Sequence, residues 1–393
     1  MPSDAGASER RSRWIFGLLP ILLLIVLVVV LFLYGPLGVF KAAFPPVEEL
    51  TIDRVRLEPG RMLVHVTNGG PEPVTVAQVL VDEAYWQFEM KGDRRIPRLG
   101  KATLILDYPW VEGETHEIRL ITSTGLTFDH TVNVATESPR VDARYLTTFT
   151  LLGIYVGVIP VFLGLLWLPF LRRLPDRWIA FFLSLTAGLL LFLGVDALQE
   201  ALDAARALPA AYQGTSLVLL GTVITVLLLV AVSRIFVAGG DPVQRKYALA
   251  ALIALGIGLH NLGEGLAIGA AYSLGELALG TFLVIGFTIH NTTEGLGIVA
   301  PIAKERPRLS TLVLLGLLAG APTISGAWIG GLNYSPVLAT LFLAVGAGAI
   351  FQVVYELLKL MIREDRTAAV AYQVAGFAAG LLVMYFTGLF VAA

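Results

Sequence analysis

The sequence predicts a polytopic α-helical membrane protein: an eight-helix membrane domain preceded by one anchor helix and an immunoglobulin-like β-sandwich. Three observations predict it. Of 393 residues, 56% are hydrophobic and only 15% are charged, whereas soluble chains average about 25% charged residues. Apolar runs of membrane-spanning length recur from Tyr145 onward with short connections between them. Residues 47–140 instead alternate polar and apolar side chains in short stretches bounded by Gly, Pro and Asn, the period of half-buried strands. The net charge of -2 argues against nucleic acid as a partner. With no cysteine, an extracytoplasmic part must fold without disulfides, and no thiolate is present to select soft ions such as Cu(I).

At the N-terminus, Arg10, Arg11 and Arg13 precede an apolar run from Trp14 to Tyr34, long enough for a hydrocarbon layer about 30 Å thick. The run continues into Gly-Pro-Leu-Gly without a small-residue cleavage site, so it reads as an uncleaved anchor with residues 1–13 in the cytoplasm. The predicted organisation is residues 1–13 as the cytoplasmic N-terminus, 14–34 as the anchor, 45–140 as the extracytoplasmic β-sandwich and 145–393 as the membrane domain.

Strands are predicted at Leu50–Leu57, Arg61–Thr67, Val74–Val81, Ala84–Met90, Ala102–Tyr108, Glu117–Thr122 and Leu126–Val134. Turn signals such as Glu58-Pro59-Gly60 and Asn68-Gly69-Gly70 separate them. Short alternating strands at this density suit an immunoglobulin-like sandwich, a fold that says little about function. Trp86 and Trp110 are assigned to the core or a domain contact. His65, His116 and His130 fall on different strands without metal-ligand spacing.

Eight apolar spans follow, predicted at 146–170, 178–198, 215–237, 247–271, 277–301, 309–331, 336–360 and 369–391. Arg172, Arg173 and Arg177 follow the first, Arg234, Arg245 and Lys246 the third, Lys304, Arg306 and Arg308 the fifth, and Arg363 and Arg366 the seventh, while the alternate loops carry only Arg206. The positive-inside rule then puts the β-domain and the C-terminus outside a cell (inner or plasma) membrane, in agreement with the N-terminal arginines.

The chemistry concentrates between Gly258 and Pro301. Leu-His-Asn-Leu-Gly-Glu-Gly (Leu259–Gly265) is echoed by Ile-His-Asn-Thr-Thr-Glu-Gly (Ile289–Gly295), both inside apolar segments. In each copy His and Glu are four apart, so a helix sets them on one face about a turn from each other, with the Asn on the adjoining edge. His260, Asn261 and Glu264 form one polar stripe and His290, Asn291 and Glu294 another. A carboxylate at the bilayer centre costs about 2.5–3.5 kcal/mol even on the lenient insertion scale, and interhelical glue contacts are worth only about 1 kcal/mol. A divalent cation is the simplest compensating partner. The two spans are antiparallel neighbours joined by a turn near Tyr272 to Glu276, which lets the stripes meet near the midplane. His with carboxylate ligands suits Zn²⁺, Fe²⁺, Mn²⁺, Co²⁺ or Cd²⁺ better than Ca²⁺ or Mg²⁺.

This motif pair resembles the fourth and fifth helices of the Zrt/Irt-like (ZIP) divalent metal transporters, whose pattern is His-Asn-x-x-Glu-Gly followed by His-x-x-x-Glu-Gly. The resemblance covers roughly residues 145–393 and includes Leu266-Ala267-Ile268-Gly269. It departs at Thr293, where the family usually has proline, and at Ala321, where a glutamate from the sixth helix would support a second metal position. Glu264 and Glu294 therefore neutralise one dication, and a single tightly held ion is expected, with Asn261 and Asn291 assisting its passage. The resemblance implies transport of the ion by alternating access and a homodimer; the metal is cargo and no cofactor is expected. Zinc moving toward the cytoplasm is the leading reading. Asp196 and Glu200 are candidates to draw cations in from outside, and Gln352 and Glu356 to line the way out. The alternatives are a membrane-embedded metal-dependent enzyme and a metal sensor. Against the enzyme, neither His-Glu-x-x-His nor a repeated Glu-x-x-His is present; against the sensor, no cytoplasmic stretch of effector-domain size is present.

Overall fold

A computed structural model describes residues 19, 21–27, 29, 47–138, 142–237, 241–273, 277–332, 335–363 and 367–392. Residues up to Val47 form one unit and Glu48–Ala393 another. Of the predicted anchor, Leu19, residues 21–27 and residue 29 are helical, and the rest of it, with Arg10, Arg11 and Arg13, lies outside the described residues.

The second unit begins with a two-sheet sandwich. Its strands are β1 (Leu50–Glu58), β2 (Arg61–Asn68), β3 (Val74–Val81), β4 (Ala84–Trp86), β5 (Glu89–Lys91), β6 (Arg95–Ile96), β7 (Lys101–Leu106), β8 (His116–Thr122) and β9 (Thr127–Val132). One sheet runs β1-β2-β7-β5 and the other β4-β3-β8-β9, with β6 paired to β3. That order is the immunoglobulin arrangement, with an added short strand on the second sheet. Alternation builds the core: Val64, Val66, Leu104 and Leu106 from one sheet meet Val79, Val81, Ile118 and Leu120 from the other, all fully buried. Trp86 and Trp110 pack against this core, and their indole N–H groups donate to the carbonyls of Asp107 (2.9 Å) and Glu58 (2.7 Å).

The predicted strand Ala84–Met90 divides in two. Its first half pairs with β3 across a tight turn in which Asp82 and Glu83 are left-handed (φ 51° and 65°), and its second half crosses to pair with β7. The Asp82 carboxylate stabilises that turn, accepting from the Tyr108 hydroxyl (2.8 Å) and the Glu117 N–H (2.9 Å), with His116 Nδ1 at 2.7 Å. These bonds outweigh the effect of burial and hold its pKa below the usual carboxylate value. β6 is too short to carry an alternation signal and was not expected.

The membrane domain comprises α1 (Ala143–Leu171), α2 (Asp176–Arg206), α3 (Gly214–Val237), α4 (Pro242–Ser273), α5 (Leu277–Val299), α6 (Leu309–Leu332, broken at Ala321), α7 (Pro336–Arg363) and α8 (Thr367–Ala392). α1 to α7 hold seven segments long and apolar enough to cross a membrane, and α8 carries the shorter apolar stretch Val370–Phe386. Two predicted boundaries move. α4 starts earlier because the Asp241 side chain caps it, accepting from the Gln244 N–H at 2.8 Å, ahead of a polar first turn. α2 continues two turns past residue 198, so Asp196 and Glu200 lie within the helix rather than near its end. The predicted turn after Tyr272 includes residues 274–276, which lie outside the described residues.

α4 is the most enclosed span and packs on α5, α6 and α7, while α5 packs on α1 and α2 packs on α7 and α8. The α4–α6 seam is lined by small residues: a side chain at Gly265 would strike the Thr323 carbonyl, and one at Gly269 the Ala327 carbonyl. At the α1–α5 seam Gly164 and Gly295 lie against each other's backbone. The sandwich meets the connection between α2 and α3, where Glu49 Oε1 accepts from the Ala210 N–H at 2.8 Å.

Candidate metal site

The two motif stripes meet. Glu264, 3% exposed, sits between the two imidazoles: Nε2 of His260 lies 3.1 Å and Nε2 of His290 2.6 Å from its Oε1. The first contact is the i,i+4 neighbour relation within α4, and the second crosses to α5. Asn291, fully buried, donates to the other oxygen, Oε2, at 3.1 Å. His260, Glu264 and His290 each present a ligand atom within 4.8 Å of the others, and among the described residues they are the group of three with metal-binding chemistry.

Glu294 and Asn261 are placed differently. Glu294 is buried on the same face of α5 as His290, yet neither carboxylate oxygen has a hydrogen-bond partner. Beside it is a void of about 10 Å³ walled by Thr186, Leu189, Leu190 and Leu193 of α2 and by Met384 of α8. Asn261 lies near Glu294 but gives its amide N–H to the Ala319 carbonyl at 3.1 Å. The Oδ1 atoms of Asn261 and Asn291 are buried without a hydrogen bond. Such orphaned acceptors are rare in folded proteins, because each one costs the desolvation of a polar group. The two imidazoles and one carboxylate of His260, Glu264 and His290 form a donor set that fits a divalent metal, and the unpartnered oxygens of Glu294, Asn261 and Asn291 are buried on the same two helices.

A cleft of about 550 Å³ leads away from His290, lined by Asp196, Gln199, Glu200 and Asp203 of α2 and by Leu283, Gly286 and Phe287 of α5 among others. Gln199 and Asp203 were not singled out from sequence. Asp203 continues the stripe of Asp196 and Glu200 at i+7 and i+3, so the helical spacing held that signal.

On α7, Gln352 is completely buried and both its amide atoms lack a partner, while Glu356 accepts from the Ser233 hydroxyl at 2.6 Å and has Lys359 at 3.5 Å. Neither joins the histidine cluster. α5 runs unbroken through Thr293, whose hydroxyl bonds back to the His290 carbonyl at 2.7 Å. Ala321 sits at the break in α6 and offers no ligand.

In the comparison with known families, the model described as ZIP Zinc transporter matches residues 237–388, from the end of α3 into α8 and across both motifs. That range is narrower than the resemblance drawn from the motifs and excludes α1, α2 and the sandwich. No curated protein matches the chain. With the paired motifs, the approach of His290 to Glu264 and the helical architecture around them, residues 237–388 of this chain are similar to the ZIP zinc transporter family, a family of divalent metal transporters.

Proposed function

We propose that the chain carries a divalent metal ion, with zinc the preferred cargo, across the membrane toward the cytoplasm, and that His260, Glu264, His290 and Glu294 bind it in transit. The observation that carries this reading is the meeting of His260, Glu264 and His290 from two helices in a buried position. To ligate, each imidazole presents a nitrogen lone pair, so the ion is held by neutral histidines and its binding competes with protons. The carboxylates of Glu264 and Glu294 together balance one dication, and Ala321 adds no charge for a second, which supports one ion per chain.

The direction rests on two supports. The acidic cleft of Asp196, Glu200 and Asp203 lies toward the end of α2 that meets the sandwich, and the arginine and lysine bias of the loops puts that end outside. A cleft of one charge sign concentrates cations at its mouth. Gln352 and Glu356, lower on α7, are the proposed way out. A homodimer follows from the family resemblance.

The test is uptake into proteoliposomes with the orientation of the protein resolved and a panel of Zn²⁺, Fe²⁺, Mn²⁺, Co²⁺, Cd²⁺, Mg²⁺ and Ca²⁺ outside. Saturable Zn²⁺ flux that is lost in Glu264→Ala is expected. Flux carried equally well by Ca²⁺, or undiminished in Glu264→Ala, sinks the reading.

A further inference from the structure

Pro160 lies inside α1, where it has no N–H to give to the carbonyl four residues back, that of Val156. The helix adapts locally: Ile154–Val158 winds as a π-turn, with the Ile159 N–H reaching back to the Ile154 carbonyl. Such a turn leaves carbonyls unserved, and π-turns recur at functional sites. Here the Val156 carbonyl is taken by Asn291 of α5, whose Nδ2 donates to it at 3.0 Å and to Glu264 Oε2 at 3.1 Å. An amide nitrogen has two hydrogens, and both are used. The amide therefore cannot flip, and Oδ1, buried without a hydrogen bond, is the group it has left to offer.

We propose that Pro160 is a positioning residue for the metal site, acting through the Val156 carbonyl to lock Asn291 so that one N–H orients Glu264 and the amide oxygen stays free for the cation. This rests on the reading of His260, Glu264 and His290 as a metal site. The other motif is built in a parallel way: Asn261 donates to the Ala319 carbonyl of α6, three residues before Pro322, where that helix is interrupted. In both cases the helix that supplies the carbonyl is the one packed against the glycine ending the motif, α1 at Gly295 and α6 at Gly265. The duplicated Asn thus reads a proline-interrupted neighbour on each side, and a partner that only glued helices together would not need its second hydrogen on the carboxylate.

Pro160→Ala restores an N–H that can bond the Val156 carbonyl within α1 and compete with Asn291. The expected result, in the full chain in proteoliposomes, is a rise of about tenfold in the KM for Zn²⁺, of the order seen when partners that orient metal ligands are removed. The maximal rate stays within about twofold and the melting temperature does not fall. Asn291→Ala should raise KM at least as much, and the Pro160→Ala/Asn291→Ala double variant should be no worse than Asn291→Ala alone, because both act through one contact. An unchanged KM in folded Pro160→Ala, or multiplicative effects in the double variant, overturns the proposal. Should Pro160→Ala fail to fold, Asn291→Ala carries the test, and a wild-type KM there overturns it equally. Normal Zn²⁺ binding by Glu264→Ala would instead remove the site itself, whereas loss in Glu264→Ala with normal KM in Pro160→Ala removes only the positioning role.

Discussion

Nε2 of His290 lies 2.6 Å from Oε1 of Glu264, a closer approach than the 3.1 Å between Glu264 and its own helical neighbour His260. The inter-helix contact, rather than either helical repeat, is the centre of the proposed site. Glu264 receives both imidazoles and the Asn291 amide, while Glu294, its sequence counterpart, has no hydrogen-bond partner.

That asymmetry predicts unequal roles for two carboxylates that look equivalent in sequence. Glu264→Gln should weaken Zn²⁺ binding by about 100-fold or more and Glu294→Gln by about tenfold, measured by equilibrium titration of the purified protein. In the absence of metal, Glu294→Gln should also raise the melting temperature, since it removes an unpaired buried carboxylate. Equal losses of affinity in the two variants would contradict the arrangement.

The α1–α5 seam predicts a packing failure. A Cβ at Gly295 would collide with the Val161 carbonyl and with Gly164, both backbone groups that cannot step aside. Gly295→Leu should lower stability by about 1–3 kcal/mol or more and abolish transport, whereas Gly388→Ala, with no atom within 4 Å of the added Cβ, should melt like the parent chain. Thermal unfolding in detergent, followed by tryptophan fluorescence, separates the two.

In the sandwich, burial first and then the charges of Arg54 and Arg56 push the His65 pKa down from 6.5 to about 4. A depressed pKa means that the unfolded chain takes up a proton on His65 before the folded one does. His65 therefore contributes stability in full above about pH 6.5, and that contribution is lost as pH falls toward 4. The side chain is about half buried, so after allowance for solvent screening the loss is about 1–2 kcal/mol. His65→Gln should have a shallower fall in melting temperature between pH 7 and 4.5 than the parent. Parallel curves would show that His65 does not titrate in this way.

Much of this architecture is legible along the chain because it depends on local periodicity. Residues 215–237 and 336–360 read as spans because an apolar run has nowhere else to put its length, and β3 was predicted at its observed bounds because alternation and its flanking turns agree. The one strand read as continuous, Ala84–Met90, is two because the second half exchanges one sheet for the other, and nothing in the local pattern of Trp86-Gln87-Phe88 records which sheet each half joins. The cleft residue Asp203 lay beyond the expected end of α2, since a polar helix end and a polar loop have the same composition.

By itself the sequence determined that His260 and Glu264 share a helix face, as do His290 and Glu294, because a four-residue separation and the pitch of the α-helix leave no other arrangement. Only the tertiary structure decided that His290 pairs with Glu264 rather than with Glu294, and that Asn291 spans from Glu264 to the Val156 carbonyl. Those choices depend on the axial offset and rotation of α4, α5 and α1 against one another. The offset and rotation are set where small residues such as Gly164 and Gly295 let backbones touch, a contact between residues far apart in the chain that no local pattern encodes.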